Sequence, residues 1–509
     1  MPNLDTNKLM FQVTGLLVVC ALIYGSLRTF LDVDLWWHIR FGMDILQSGL
    51  VNVPDHYSYL SSDYRWFNQE WLAQAIFAFF YTNFGWTGLV LMKASVVLVI
   101  FWLIYHVIAK WDLDFASKLT LILMVAVFLS FVTNGIRPHL FTGLLLAITL
   151  IVLRRQPSKR LWILPVLFLP WVNLHGGFII GIATVGLYAV CQTVLGYINK
   201  VSTKEIAFPW LILFACCLAT TINPYGFGLP ASAISVLYQV SSMRPDIPEW
   251  QPIELKSLLG ALWALLSALV LVGFGMSPRR NFSCRMLWLA FAVLPMISVR
   301  YVAFFGLATV LLVGEELAQL KQKYWPAKTA SKTTSKSAAL AMAAIYVCMS
   351  FGLLFAATDY LKAPRLAPDA PVDLPYVPVA ILKKIGAHGN MALDFGWGGF
   401  VIWHLAPDVK ISLDGRGEFA YSPKVMLVNE VFCEGIGPWD VLIKKFPTDM
   451  VLVRTMSPVF NLMKLTPSWD LIYSDETAAL FLRSGSEAAQ NAHHLLDTSS
   501  KDELTVPVF

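Results

Sequence analysis

The run LMFQVTGLLVVCALIYGSLRT (Leu9–Thr29) is followed almost at once by DVDLWWH (Asp32–His38). About 20 apolar residues in a helix cross a bilayer, so Leu9–Thr29 reads as a span. No small-x-small cleavage site follows its long apolar stretch, so it is a retained span and not a cleavable signal peptide. The chain therefore leaves the membrane at two carboxylates, two tryptophans and a histidine.

Further apolar segments follow at Thr87–Ile108, Phe115–Asn134, Leu140–Leu153, Leu161–Asn173, Gly176–Ile198 and Ala207–Ile222. Leu255–Met276, Met286–Val299, Tyr301–Val313 and Ala338–Thr358 complete the series. The total is about eleven spans. Leu161–Asn173 with Gly176–Ile198, and Met286–Val299 with Tyr301–Val313, each read as two spans or one re-entrant pair, and either choice preserves parity. With 57% hydrophobic residues, 14% charged and a mean hydropathy of +0.62, a soluble globule is excluded.

Lys and Arg in short loops set orientation. Arg154, Arg155, Lys159 and Arg160 share one connection, and Arg279, Arg280 and Arg285 another. Lys321, Lys323, Lys328, Lys332 and Lys336 fill a third, with Lys200 and Lys204 in a weaker fourth. All four alternate into the cytoplasm. The first long loop, residues 30–86, has six carboxylates and two basic residues, as an outside loop can. The expectation is an N-terminus in the cytoplasm and a C-terminal domain outside, periplasmic in a bacterial inner membrane. The net charge of +5 reflects the membrane anchors and gives no case for nucleic acid.

Six of the seven cysteines lie in or beside spans and Cys433 stands alone in the outer region, so no structural disulfide is expected there. Thr329–Ala338 reads as a cytoplasmic linker. From about Lys362 the long apolar runs give way to short alternating units. Val377–Ile385, Val401–Leu405 and Val425–Phe432 have helical spacing. Met391–Phe395, Val409–Leu413 and Met450–Val453 read as strands, and Asp470–Tyr473 with Ala478–Leu482 as a terminal hairpin. The predicted organisation is a polytopic α-helical membrane domain (1–361), a small extracytoplasmic α/β domain (362–484) and a polar flexible tail (485–509).

Nearly every out-of-place polar residue emerges on one face. Asp32 and Asp34 suit metal binding or acceptor activation, with helix capping as the competing role. A helix starting near Asp34 brings His38 onto the same face one turn on. Glu70 opens an amphipathic stretch, Trp71–Phe84, where a macrodipole-stabilised acid is the simpler account. Arg137-Pro-His139 breaks a span at its outer end, and a fixed arginine beside a histidine can bind phosphate. His175, in Asn173-Leu-His-Gly-Gly177, interrupts a hydrophobic hairpin at membrane depth. Asn223-Pro-Tyr-Gly226 is a turn.

The order of these motifs resembles the GT-C class of multi-span glycosyltransferases, most closely the catalytic subunit of oligosaccharyltransferases. Asp34 occupies the place of that family's Asp in the first outer loop. Pro248-Glu249-Trp250-Gln251-Pro252 resembles its Ser-Val-Ser-Glu-His-Gln-Pro motif, and Val299-Arg300-Tyr301 the arginine that begins a late span. Phe395-Gly-Trp397-Gly-Gly399, then Asp414-Gly-Arg416, follow the order of its Trp-Trp-Asp-Tyr-Gly and Asp-Gly-Gly motifs. Two departures stand out. Arg137-Pro-His139 lies where the family has its acidic metal motif, and Gly398 replaces the acceptor-reading Asp.

The resemblance implies inverting transfer from a polyprenyl-phosphate-linked sugar to a protein or glycan acceptor other than an Asn-x-Ser/Thr site. Asp34 and Glu249 are the expected catalytic carboxylates. Arg300, with Arg137 and His139, is expected to hold the donor phosphate. A divalent metal, Mg or Mn, is assigned to Asp34, Asp32 and Glu249. His38, Glu70, His175, Trp397, Asp414 and Arg416 are further candidates. The rival class is a non-enzymatic transporter, flippase or assembly scaffold for lipid-linked glycans. A transporter would concentrate its polar residues near the bilayer midplane.

Overall fold

The computed structural model describes residues 6–61, 65–155, 157–243, 248–277, 281–324, 336–365, 374–498 and 504–509. It divides into two compact units, one of residues 1–30, 80–230 and 244–365, the other of 31–79, 231–243 and 366–509.

The first unit is helical. Among the described residues, six helices are long and apolar enough to cross a membrane: Leu9–Leu27, Trp71–Ile108, Phe178–Ile198, Leu258–Met276, Val299–Tyr324 and Ser337–Lys362. Phe115–Ser130, His139–Leu153 and Phe282–Met296 are apolar but shorter. This is an integral, multi-pass membrane protein. The expected count of about eleven is not reached by these criteria. Leu161–Asn173 forms the 12-residue helix Ile163–Leu174, which rises only about 18 Å.

Two expected segments have different ends. Trp71–Ile108 is broken at Gly85, where φ is 60° and the amphipathic stretch gives way to the span. Tyr301–Val313 does not stop at Val313: it passes through a π-helical turn, Thr309–Val313, into Gly314–Tyr324. Two consecutive acids at Glu315 and Glu316 suggest an end, but Arg154 and Arg285 neutralise them in turn. The helix Gly228–Met243 had no counterpart in the sequence reading, because its small and polar residues blur any apolar stripe.

Helix ends in this unit are tied by Lys93, which is fully buried. Its ammonium donates to the carbonyls of Arg28 and Thr133, the latter at 2.8 Å. Carbonyls at a helix C-terminus lack intrahelical donors, and a buried cation between two such ends satisfies both.

The second unit holds a five-stranded sheet of β1 (Gly389–Leu393), β2 (Val409–Ile411), β3 (Met450–Arg454), β4 (Trp469–Ser474) and β5 (Ala478–Arg483), in the order β2-β1-β3-β5-β4. β1 pairs parallel with β2 and β3, while β5 runs antiparallel to β3 and β4. The uninterrupted apolar strands β3 and β5 are central and buried, as their composition requires. Helices Tyr376–Lys384, Gly398–Leu405 and Pro423–Glu434 lie where 3.6-residue spacing placed them.

Two domain boundaries are corrected. Most of the stretch expected as a membrane-domain loop (30–86) folds with the C-terminal residues. Ser58 bridges Ile411, and Tyr57 and Tyr59 exchange backbone hydrogen bonds with it. The expected flexible tail contains the helix Glu487–Thr498, with Ala489 and Ala492 buried one turn apart. Its polar composition hid a narrow alanine stripe that needs little area to seat on the sheet. Leu504 and Val506 are also buried, Trp36 donates its indole N–H to the Val508 carbonyl at 2.7 Å, and the Phe509 ring meets Trp36 and Trp403. The linker Thr329–Ala338 and the basic residues Arg279, Arg280, Lys328 and Lys332 lie wholly or largely outside the described residues.

Candidate functional site

In the first unit the structure gathers residues from four sequence motifs. Arg137 precedes the helix His139–Leu153, because Pro138 bars the preceding residue from helical backbone. Its Nη1 donates to both Glu249 oxygens, at 3.1 and 3.0 Å. Arg300 Nη2 lies 3.5 Å from Glu249 Oε1. Its guanidinium carbon stands 4.2 Å from the centre of the Trp250 ring, a cation–π contact.

The backbone fixes this arrangement. Ser298 Oγ donates to the Glu249 carbonyl at 2.8 Å, Val299 N to Gln251 O at 2.8 Å, and Ile253 N to Pro295 O at 2.9 Å. Segments 249–253 and 295–299 are thus laced together, and Glu249 and Arg300 face each other as a result. Arg137, Arg300 and Glu249 side chains keep 19%, 29% and 33% of their surface accessible, so the group is partly open.

His139 and His175 stand beside it, ring centres 6.2 Å apart. His139 Nε2 contacts the Val132 carbonyl at 3.1 Å and therefore carries the proton on that nitrogen. His175 Nδ1 accepts from the Gly177 backbone at 3.0 Å and is 2.9 Å from Thr142 Oγ1, which in turn accepts from the Trp171 indole. A side chain at Gly177 would collide with Thr142 and His175, which explains the glycine there. Asn173 donates to the Leu169 and Ile222 carbonyls and so joins two helix ends. Sequence reasoning found Arg137, His139, His175, Glu249 and Arg300. It missed Trp250, although Trp250 lies inside a motif already singled out. It also missed Thr142, whose signal was its position one turn after His139.

Two guanidiniums and one carboxylate leave net positive charge at the mouth of apolar helices. Arginine forks match phosphate geometry, and a charge-assisted contact with an anion gains in a poorly solvated setting. The carboxylate holds the two arginines at one place, ready for an anionic group.

The second unit contains the other candidates. Asp32 Oδ1 accepts from the Asp34 backbone at 2.9 Å, so Asp32 shapes the turn into the helix Leu35–Ser48. Asp34 makes no side-chain cap there. Its Oδ1 accepts from the Trp37 indole at 3.1 Å. The space a side chain at Gly415 would need is taken by Asp34 and Trp37. His38 stacks on Trp37 and lies 4.0 Å from Glu70.

Trp397 is fully buried under Arg454, which pairs with Asp394 at 3.0 Å. Gly398 and Gly399 are required by close packing: a side chain at Gly398 would strike Leu413 and Asp414, and one at Gly399 would strike Val33 and Trp37. Here Gly398 serves packing where the resembled family has an acid.

Asp414 and Arg416 are buried structural partners. Arg416 bonds both Asp414 oxygens and lies 2.9 Å from Asp55 Oδ2, inside a box that includes Phe41, Trp66 and Tyr421. Burial alone would raise the Asp55 carboxyl, but Arg416 and Ser61 outweigh it and hold the group below its usual range. Burial likewise opposes the Arg416 charge, yet Asp414 and Asp55 fix it as a permanent cation.

Among the described residues no group of three or more His, Cys, Asp or Glu could hold a metal ion. The donor set expected for Mg or Mn does not fit one, because Glu249 already faces two guanidinium charges. Asp32 and Asp34 use oxygens on a backbone amide and an indole.

No protein-family model and no curated protein sequence matches this chain. Solved structures do. The oligosaccharyltransferase of Archaeoglobus fulgidus in its apo form superposes with a TM-score of 0.54 at 11% identity, over 87% of this chain and 69% of that one. ArnT from Cupriavidus metallidurans, solved bound to undecaprenyl phosphate, gives 0.49 at 12% identity, over 94% and 98%. With the oligosaccharyltransferase superposition, the chain has a GT-C-like fold.

Proposed function

We propose that the protein is a membrane glycosyltransferase that takes a sugar or oligosaccharide from a polyprenyl-phosphate carrier, at the non-cytoplasmic face of a bacterial inner membrane. The observation that carries this reading is the convergence of Arg137 and Arg300 on Glu249, with His139 beside them, at the ends of apolar helices. The GT-C-like fold supports it.

In the reaction, the bond between the anomeric carbon and the carrier phosphate breaks and the phosphate leaves with the electron pair. A bond from the acceptor oxygen or nitrogen to that carbon forms on the opposite face, inverting it. Charge grows on the leaving phosphate, so cations already in place stabilise the transition state more than the ground state. Arg300 and Arg137 take that role. Asp34 is assigned the acceptor's proton, a task typically worth about 10²–10⁴ in rate. Glu249 keeps the two arginines together until a phosphate arrives. The acceptor is a glycan or a protein group other than an Asn-x-Ser/Thr site, since Gly398 leaves no acid to read one.

Titrating a polyprenyl-phosphate sugar against the wild type, Arg300→Lys and Arg300→Ala tests the assignment. Lysine keeps the charge without the fork, so use of the donor weakens in the first variant and nearly vanishes in the second. Glu249→Gln loosens the two arginines and should weaken donor use less than Arg300→Ala does. Equal donor affinities in all proteins would make the Arg300–Glu249 pair purely structural and remove the basis of the reading.

A further inference from the structure

The helix His139–Leu153 has a second charged end. His139 lies at its start, in the cluster described above. Arg154 and Arg155 follow its last residue, 15 residues on, a rise of about 22 Å. At that far end the structure has a cavity of about 280 Å³, lined by His106, Lys110, Trp111, Ile151, Arg154 and Arg155. Lys110 and Trp111 follow the end of Trp71–Ile108, so the cavity sits between two helix C-termini.

Part of this basic charge has a structural explanation. Cations favour helix C-termini, and Arg154 is held by Glu315 at 3.2 Å and stacked on Trp111 at 5.0 Å. Lys110 and Arg155 are different. Both are exposed, and neither makes an ion pair among the described residues. Among the described residues no acid lines the cavity. The floor is aromatic, one guanidinium is preset, and two further cations stand at the rim.

We propose that this cavity binds the phosphate of an anionic phospholipid headgroup, on the face opposite the Arg137–Glu249–Arg300 cluster. Basic pockets between helix ends are suited to such headgroups. The volume falls just under the roughly 300–1,000 Å³ usual for small-molecule sites, which admits a headgroup and leaves acyl tails outside. Alongside the cavity, the last turns of Trp71–Ile108 expose Trp102 at 60%, Tyr105 at 57% and Val99 at 43%, an apolar surface on which a tail can lie. That surface favours a lipid over a free phosphate compound, although both present the same phosphate chemistry. The proposal does not depend on the glycosyltransferase reading.

The test uses the full chain in neutral detergent, titrated with short-chain phosphatidylglycerol, phosphatidylcholine, glycerol 3-phosphate and inorganic phosphate. Native mass spectrometry reads stoichiometry and affinity. Phosphatidylglycerol is expected to bind one to one and in preference to phosphatidylcholine. Lys110→Gln with Arg155→Gln should weaken it about thirtyfold, and Lys110→Gln alone about fivefold. The tail-less phosphates should bind at least about a hundredfold more weakly. Lys204→Gln with Lys323→Gln removes two exposed cations elsewhere and should leave affinity unchanged. Equal affinity for the two lipids, an unchanged double variant, or equal loss in the control pair would overturn the site. Inorganic phosphate binding as tightly as phosphatidylglycerol would overturn its assignment to a lipid.

Discussion

Replacing Arg416 by methionine isolates the cost of the buried ion network in the second unit. The side chain is 1% exposed, and its partners Asp414 and Asp55 are 0% and 1% exposed. Methionine fills the aromatic box but leaves two carboxylates buried without their cation. Breaking a buried pair in this way costs about 3–5 kcal/mol. At about 1.4 kcal/mol per decade, the opened form of the second unit should rise by about two to four orders of magnitude. Hydrogen exchange and limited proteolysis of the full-length protein in detergent would read that change.

The pH dependence carries a second check. Asp55 is held below its ordinary range in the folded protein, so its contribution is fully present above the unfolded carboxylate pKa of about 4 and fades as pH falls through the folded value. In Arg416→Met burial dominates, and protonation of the acid relieves the variant. The gap between wild type and variant should therefore begin to narrow above about pH 4 and keep narrowing as pH falls through it. A loss below about 1 kcal/mol, within the range of an exposed pair, would refute the argument. So would intact stability with abolished transfer, which would return Arg416 to the reaction.

Reporters placed after Lys501 and within Thr329–Ala338 should read non-cytoplasmic and cytoplasmic respectively; opposite readings at both would invert the proposed topology. Asp34→Asn should abolish transfer while leaving expression and thermal unfolding nearly unchanged, and parallel loss of protein would point to its Trp37 contact instead. His404 is held at about 4 by burial, then by Lys383, so it stays neutral in the folded protein. Stability from this site is full above the unfolded value of about 6.5 and is lost as pH falls toward the folded one. The Pro507 backbone bonds the His404 ring, so residues 504–509 should lose protection against hydrogen exchange, relative to the intrinsic rate at each pH, from about pH 6 downward in the wild type and not in His404→Phe.

The helical membrane domain and the alternating outer domain were legible because burial imposes periods of 3.6 and 2 on a sequence. Arg137, His139, Glu249 and Arg300 were legible as a set because charge at the end of an apolar run is costly and hence conspicuous. What stayed hidden depended on distant partners. Nothing local to Glu315 and Glu316 shows that Arg154 and Arg285 will neutralise them, so the helix was ended too early. Arg416 looked like chemistry because Asp55, far away in sequence, is what makes it structural. The loop 30–86 gave no sign that Tyr57 and Tyr59 would pair with Ile411. Glu249 was visible as an acid, but its pairing with Arg137 and Arg300 was not.

Trp36 is synthesised 472 residues before its carbonyl partner at Val508. Between the two halves of the second unit the ribosome must deliver nearly all of the membrane helices. The second unit therefore cannot close as an early, independent fold, and residues 31–79 wait with Trp36, Phe41 and Tyr57 lacking their final cover. Long-range closure of this kind is slow and leaves apolar surface exposed meanwhile. A chain stalled before residue 504 should thus be inserted yet protease-sensitive within residues 31–79, which makes residues 504–509 a checkpoint on that segment.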